Sequence, residues 1–142
     1  MATESEKMMN DYVAAWNAHD MERVLSFCTD DVVFEEVPME KVWRGKKEAK
    51  DFAKDTFTNF PDFKIEVKSG FSAGDQGAGE WVMSGTFAHS SNPAMPATGK
   101  KFSIPGVGIN EYSGGKISRV TNYWNLASFL QQVGLMPPPP QQ

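Results

Sequence analysis

The sequence is poor in the residues that build disulfide scaffolds and metal centres. It has one cysteine, Cys28, and two histidines, His19 and His89, among 142 residues. A single cysteine excludes an internal disulfide, and the apolar helical pattern around Cys28 is typical of a small buried side chain. The histidines lie 70 positions apart, and neither has a partner at metal-ligand spacing. We therefore expect no metal site.

Long apolar runs and basic clusters are also missing. No stretch approaches the ~18 apolar residues that a membrane-spanning helix needs, and the first residues lack the basic start and apolar run of a signal peptide. We therefore expect a cytoplasmic protein without membrane contact. The net charge of -4 provides no electrostatic footprint for nucleic acid. The chain has no glycine-rich phosphate loop, nucleotide fingerprint or nucleophile elbow, so no cofactor is expected.

Hydrophobic periodicity predicts helices and strands along most of the chain. Thr3 and Glu6 form a capping box at the first helix, and Gly114-Gly115 suits a tight hairpin. Pro38 to Arg44 is predicted to be a loop. The predicted helices are 4–17, a short one after Asp20 that includes Cys28, 46–58, and one that starts near Asn125. The predicted strands are 32–37, 63–68, 79–89, 101–112 and 116–124.

This order of elements predicts an α+β domain. Three early helices precede a meander of four antiparallel strands, and a short helix closes the chain. A strongly curved antiparallel sheet with helices packed on its concave face would enclose a cavity. We expect one domain over residues 1–136. Residues 137–142 are expected to be a disordered tail rich in proline and glutamine.

Three segments, spread over nearly the whole chain, resemble those of one protein family. The first is Ala15-Trp16-Asn17-Ala18-His19-Asp20, followed by Asp30-Asp31-Val32-Val33-Phe34. The second is Trp43-Arg44-Gly45, leading into Phe60-Pro61-Asp62-Phe63. The third is Gly114-Gly115-Lys116-Ile117, followed by Tyr123-Trp124-Asn125-Leu126-Ala127 and Leu130-Gln131-Gln132-Val133-Gly134-Leu135. The ordered set resembles the SnoaL-like polyketide cyclase branch of the nuclear transport factor 2-like superfamily.

The resemblance implies a cone-shaped fold with an open mouth that leads to an apolar pocket. It also implies a homodimer formed through the sheet. Polyketide cyclases of this branch close a ring in polycyclic aromatic esters by an intramolecular aldol reaction. They use neither a metal nor an organic cofactor.

The family's acid/base residue is an aspartate near the end of the last strand, and this chain departs from that pattern. The corresponding Tyr-Trp-Asp sequence reads Tyr123-Trp124-Asn125. The neighbouring Asn122 is also an amide, and a pocket position that is often histidine in the family falls on Asn110. An amide can donate and accept hydrogen bonds but cannot take a proton as a carboxylate does. Asn125 also suits the N-cap of the last helix.

Three ionisable residues are candidates to replace the missing aspartate. Glu36 and Glu111 lie on predicted strands, and His89 lies at a strand end beside a long loop. Each has the alternative of ordinary solvent exposure. Glu35 and Glu36 are adjacent and must point to opposite faces; Glu36 shares its side with Phe34. The residues predicted to bind substrate are Trp16, Phe34, Trp43, Met83, Asn110, Asn122 and Trp124.

Three functions remain open from the sequence. The first is a cofactor-independent cyclase or isomerase of an apolar carbonyl compound, with Glu36, His89, Glu111 and Asn125 as candidate catalytic residues. The second is a non-catalytic module that binds a hydrophobic small molecule or dimerises. The third is epoxide hydrolysis, which ranks last because no Asp-Arg-Asp set can be placed on the strands. Fold alone cannot choose among them.

Overall fold

The computed structural model describes residues 3–138, which contain four α-helices, a short 3₁₀ helix and six strands. The α-helices are α1 (Glu4–Asn17), α2 (Met21–Ser26), α3 (Gly45–Asn59) and α4 (Leu126–Gln132), and the 3₁₀ helix is Val37–Met39. The strands are β1 (Cys28–Glu36), β2 (Lys41–Arg44), β3 (Lys64–Ala73), β4 (Gln76–Thr86), β5 (Lys101–Ser113) and β6 (Lys116–Trp124).

All six strands belong to one sheet in the order β2-β1-β6-β5-β4-β3. Every neighbouring pair is antiparallel except β1 and β6, which are parallel. The predicted meander of β3 to β6 is confirmed. The parallel pair was not predicted, because the two strands are separated by most of the chain and share no local pattern. It brings the end of β1 beside the end of β6.

The local capping and turn signals are confirmed. Thr3 and Glu6 form the complete capping box of α1, and the Asp20 side chain accepts a hydrogen bond from the backbone N–H of Arg23 at the start of α2. Gly114 and Gly115 both have positive φ between β5 and β6, which is the conformation that a two-residue hairpin needs. These signals are readable because each involves residues at most three positions apart.

Several strand boundaries shift by a few residues, and at two places the type of element differs from the sequence prediction. The predicted loop from Pro38 to Arg44 contains β2, which pairs with β1 through a turn in which Glu40 has a φ of 53°. The four residues of β2 are mostly exposed and show no alternation. The second difference is at Cys28, which was expected in the second helix and instead begins β1. The last residue of α2 is Ser26 and Phe27 is its C-cap, so the helix ends two residues before Cys28.

The helices cover the concave face of the curved sheet, which gives the predicted α+β class. Trp16 of α1, Ala53 of α3 and Phe34 of β1 belong to one buried cluster. Phe129 of α4 packs with Ile104 of β5 in a second cluster, and Phe60 and Met83 contact both. Within residues 3–138, no helix is long and apolar enough to cross a membrane. Of the predicted tail, residues 139–142 lie outside the described residues.

Candidate functional site

A cavity of about 260 Å³ lies between the concave face of the sheet and the helices. Its wall is mainly apolar and rich in aromatic residues, which include Trp16, Phe34, Trp43, Phe52, Trp81 and Trp124. Aromatic side chains provide large apolar surfaces with a preferred stacking geometry. The volume lies just below the range of about 300–1,000 Å³ that is usual for drug-sized ligands. The cavity therefore suits a compact, flat, apolar molecule.

Two carboxylates, those of Glu36 and Asp55, lie among the described lining residues. The two differ in burial, because Glu36 is 7% exposed whereas Asp55 is exposed. Glu36 is the last residue of β1, and the parallel register places it opposite Asn122 of β6. Glu36 is thus the buried acidic group of the site.

Two neutral donors hold the Glu36 carboxylate. The Asn122 amide donates from Nδ2 to Oε2 over 2.6 Å, and the Trp124 indole donates from Nε1 to Oε1 over 3.1 Å. Both donors come from β6 and alternate with the exposed Tyr123. Each carboxylate oxygen therefore has one donor, which orients the group without neutralising its charge.

Burial raises the pKa of Glu36 to about 6, although the hydrogen bonds from Asn122 and Trp124 lower it. Burial has the larger effect because an apolar surrounding disfavours the charged form. Hydrogen bonds from uncharged donors compensate for only part of the lost hydration. At neutral pH the group is mostly ionised, but its pKa is close to the pH of the solution. This is the condition under which a carboxyl group transfers protons efficiently.

Two further buried polar groups line the cavity. They are the Asn110 amide, on a residue that is 7% exposed, and the Tyr12 hydroxyl, on a residue that is 6% exposed. Burial is the main cause that raises the pKa of Tyr12 well above its usual value, so its hydroxyl keeps its proton. The Asn110 amide has no hydrogen-bond partner within residues 3–138, although buried polar groups normally have one. The amide and the Tyr12 hydroxyl can each donate a hydrogen bond to a ligand.

The structure brings together the residues predicted to bind substrate. The residues that line the cavity are Trp16, Phe34, Trp43, Met83, Asn110, Asn122 and Trp124. Glu36 joins them, whereas Glu35 lies on the opposite face of the sheet and pairs with Arg119 at 3.0 Å. The register of β1 against β6 therefore decides which of the two adjacent glutamates faces the interior.

The other three candidate catalytic residues lie outside the cavity lining. Glu111 is next to Asn110 on β5 and so points to the outer face, where it lies 3.6 Å from Arg119. His89 is exposed beyond the end of β4. The Asn125 side chain accepts a hydrogen bond from the backbone N–H of Ser128 over 3.0 Å, which makes it the N-cap of α4.

Sequence reasoning did not place Tyr12 or Trp81 among the site residues. Tyr12 lies on the apolar face of α1 and Trp81 on the inner face of β4, and burial in a core explains both patterns equally well. Periodicity shows which face of an element is buried, but it does not distinguish a packed interior from a cavity wall. An aromatic ring with a polar atom on a buried face is the signal that could have identified both residues.

The raised pKa of Glu36 makes stability depend on pH. Because the folded-state pKa of about 6 exceeds the ordinary 4.5, folding favours the protonated form. The stabilisation is fully present below about pH 4.5 and is lost as pH rises through about 6, by about 2 kcal/mol. Urea unfolding of the wild-type protein and Glu36→Gln should therefore show a shift of this size in favour of the variant between about pH 4 and pH 7.5. A pH-independent difference would contradict it.

A curved sheet closed by helices around an apolar cavity with one buried carboxylate defines an α+β domain with an internal cavity. The model of the SnoaL-like polyketide cyclase family matches residues 6–133. The chain therefore belongs to the SnoaL-like polyketide cyclase family. It has no match among curated proteins.

Solved structures show the same fold. A candidate polyketide cyclase from Pseudomonas putida KT2440 is 26% identical, with a TM-score of 0.81 over 94% of this chain and 99% of that one. AclR, a candidate hydroxylase from Streptomyces galilaeus, is 22% identical, with a TM-score of 0.81 over 97% and 89%. A protein of ketosteroid isomerase-like fold from Catenulispora acidiphila is 18% identical, with a TM-score of 0.78 over 91% and 93%.

Proposed function

We propose that this protein binds a flat aromatic carbonyl compound in its cavity and moves a proton on it, as a cofactor-independent cyclase or isomerase. The observation that carries the proposal is the Glu36 carboxyl group, which is buried in the aromatic cavity, oriented by two neutral donors and has a pKa of about 6. Glu36 has the burial and the proton affinity that an acid/base group needs. The amides at Asn122 and Asn125 cannot accept a proton in this way.

The proton transfer begins with the ionised Glu36. Its carboxylate accepts a proton from the carbon next to the ligand carbonyl, and the C–H electron pair moves into the carbonyl to form an enolate. The Asn110 amide or the Tyr12 hydroxyl, both on buried residues that line the cavity, can donate a hydrogen bond to the enolate oxygen. Such donors act strongly where water is excluded.

The second half of the reaction returns the proton. In an isomerisation, protonated Glu36 delivers it to a different carbon of the enolate. In a ring closure, the enolate carbon attacks a second carbonyl of the same ligand, and the proton goes to the new alkoxide. Both outcomes leave the carboxylate in its starting form, so the cycle needs neither a metal nor an oxidant.

The proposal is tested with 2-acetylnaphthalene, a flat aromatic ketone with exchangeable protons beside its carbonyl. Quenching of tryptophan fluorescence measures binding, because four tryptophans line the cavity. Proton NMR in deuterated buffer measures α-proton exchange. We expect both saturable binding and accelerated exchange. Binding without accelerated exchange would overturn the catalytic part and support a non-catalytic binding module. Absence of binding would overturn both.

The outer face of the sheet supports a homodimer, which we also propose. Phe71, Val107, Ile109 and Tyr123 are exposed there. The register places Phe71, Ala78 and Ile109 in one cross-strand row and Val107 beside Tyr123 in the next. Large exposed apolar patches are rare on monomers. Two copies of the chain related by a two-fold axis can bury this face against each other.

A charge placed in this row should separate the two copies. We expect the wild-type protein to have the mass of two chains by light scattering, and Ile109→Glu to have that of one. Ser103→Glu is the matched control, because Ser103 is an exposed residue of the same strand outside the apolar rows. A single-chain mass for the wild-type protein at micromolar concentration would overturn the dimer.

A further inference from the structure

The floor of the cavity is formed by glycines on two neighbouring strands. Gly79 of β4 is paired with Gly108 of β5, and Trp81 of β4 is paired with Gly106 of β5. Side chains alternate along each strand, so these positions share the face of Asn110 and Met83, which line the cavity. At these positions no side chain projects from the sheet backbone into the interior.

Two of these glycines make room for the indole of Trp81. A Cβ atom at Gly106 would collide with the ring atoms Cη2 and Cζ3 of Trp81, and one at Gly108 would lie 3.2 Å from its Nε1. The ring therefore lies flat against β5. A side chain at either position would push it into the cavity. Trp81 forms a flat apolar surface on which a second ring can stack.

Gly79 differs from Gly106 and Gly108 because no side chain occupies the space beside it. A Cβ atom there would have one neighbour within 4 Å, the backbone oxygen of Ser69 at 3.5 Å. That is an ordinary van der Waals contact, and Gly79 is not among the glycines with positive φ. The backbone would therefore accept a larger residue, whose side chain would extend into the cavity. Gly79 therefore leaves a recess beside the Trp81 indole. The backbone conformation and packing at position 79 do not require glycine.

We propose that Gly79 is a specificity-determining residue that sets how many fused rings the cavity admits. The inference rests on the proposed function and deepens it. The ligand is a fused aromatic ketone whose ring system lies along the Trp81 indole. Its far edge occupies the recess over Gly79.

The test compares the wild-type protein with Gly79→Val in a series of aryl methyl ketones. The probes are acetophenone, 2-acetylnaphthalene and 2-acetylanthracene, which have one, two and three rings, and tryptophan quenching measures their affinity. The largest probe that the wild-type protein binds should lose about tenfold or more in affinity for Gly79→Val, because the valine methyl groups overfill the recess. Smaller probes should change by less than about threefold.

Ser84→Val is the matched control, since Ser84 lies on the same strand with its side chain on the opposite face. It should leave all affinities unchanged. Thermal unfolding of both variants verifies that the fold is retained. If the wild-type protein binds the probes and a folded Gly79→Val binds the same largest probe with unchanged affinity, the inference is overturned. The proposed function is not affected by that result. If the wild-type protein binds no probe, the proposed function fails and the inference fails with it.

Discussion

Replacement of Glu36 by glutamine is expected to lower the rate of α-proton exchange of bound 2-acetylnaphthalene by about 100-fold or more. Glutamine keeps the shape of the side chain but cannot accept the proton. The Asn122 amide can turn so that its oxygen accepts from the new amide, and Trp124 still donates to the remaining oxygen. Binding of the ketone should therefore change little, so that the loss falls on the exchange step.

The pH profile of the wild-type protein identifies the group that acts. The ionised carboxylate is the proton acceptor, and the pKa of Glu36 is about 6. The exchange rate should therefore be low below this value, rise through about pH 6 and level off above it. The residual exchange of Glu36→Gln should not show this rise. A wild-type profile that rises only near pH 4.5 would show that an exposed carboxylate is responsible.

Glu35→Gln is the matched control. Glu35 is adjacent in sequence, carries the same charge and lies on the opposite face, paired with Arg119 at 3.0 Å. Losing a partly exposed ion pair costs about 0–1 kcal/mol in stability and should leave the exchange rate unchanged. Equal rates for Glu36→Gln and the wild-type protein would refute the role of Glu36. Equal losses in both variants would show that the effect comes from charge or folding rather than from the site.

The sequence predicts the local parts of this fold well because their causes are local. The Gly114-Gly115 turn and the alternation of β3 to β6 are set by residues a few positions apart, and the observed meander follows them. The pairing of β1 with β6 joins Phe34 to Val120, and no spacing rule connects residues so distant. β2 was not predicted because its four residues are mostly exposed and show no hydrophobic alternation.

The candidate site depends on this unpredicted pairing. The sequence favours Glu36 over the adjacent Glu35 because Glu36 shares its side of the strand with Phe34. The register against Asn122 shows that Glu36 is the glutamate that lies beside β6 in the interior. The family resemblance directed attention to Asn125, but that residue caps a helix. Asn122, its neighbour, instead orients the carboxylate. The acidic group therefore lies on β1 rather than at the end of β6, although both strand ends meet in the same cavity.

Replacement of Trp16 by alanine is expected to lower the free energy of unfolding by about 3–5 kcal/mol. Trp16 is 5% exposed, and its ring lies at 5.3–6.3 Å, in edge-on arrangements, from four other aromatic rings. These rings belong to Tyr12, Phe52, Phe57 and Phe63. Each such pair adds about 0.5–1.5 kcal/mol beyond the buried area. Trp16 thus links α1 to α3 and to Phe63, the residue before β3.

Trp43→Ala is the comparison that separates packing from ligand binding. Trp43 also lines the cavity but is only partly buried, and the aromatic ring packed against it is that of Phe52 at 4.4 Å. Urea unfolding should show a smaller loss for Trp43→Ala than for Trp16→Ala. Ketone binding should weaken in both folded variants. If Trp16→Ala costs under about 1 kcal/mol, then Trp16 contributes to the cavity wall and not to the core, and the aromatic cluster does not hold the helices on the sheet.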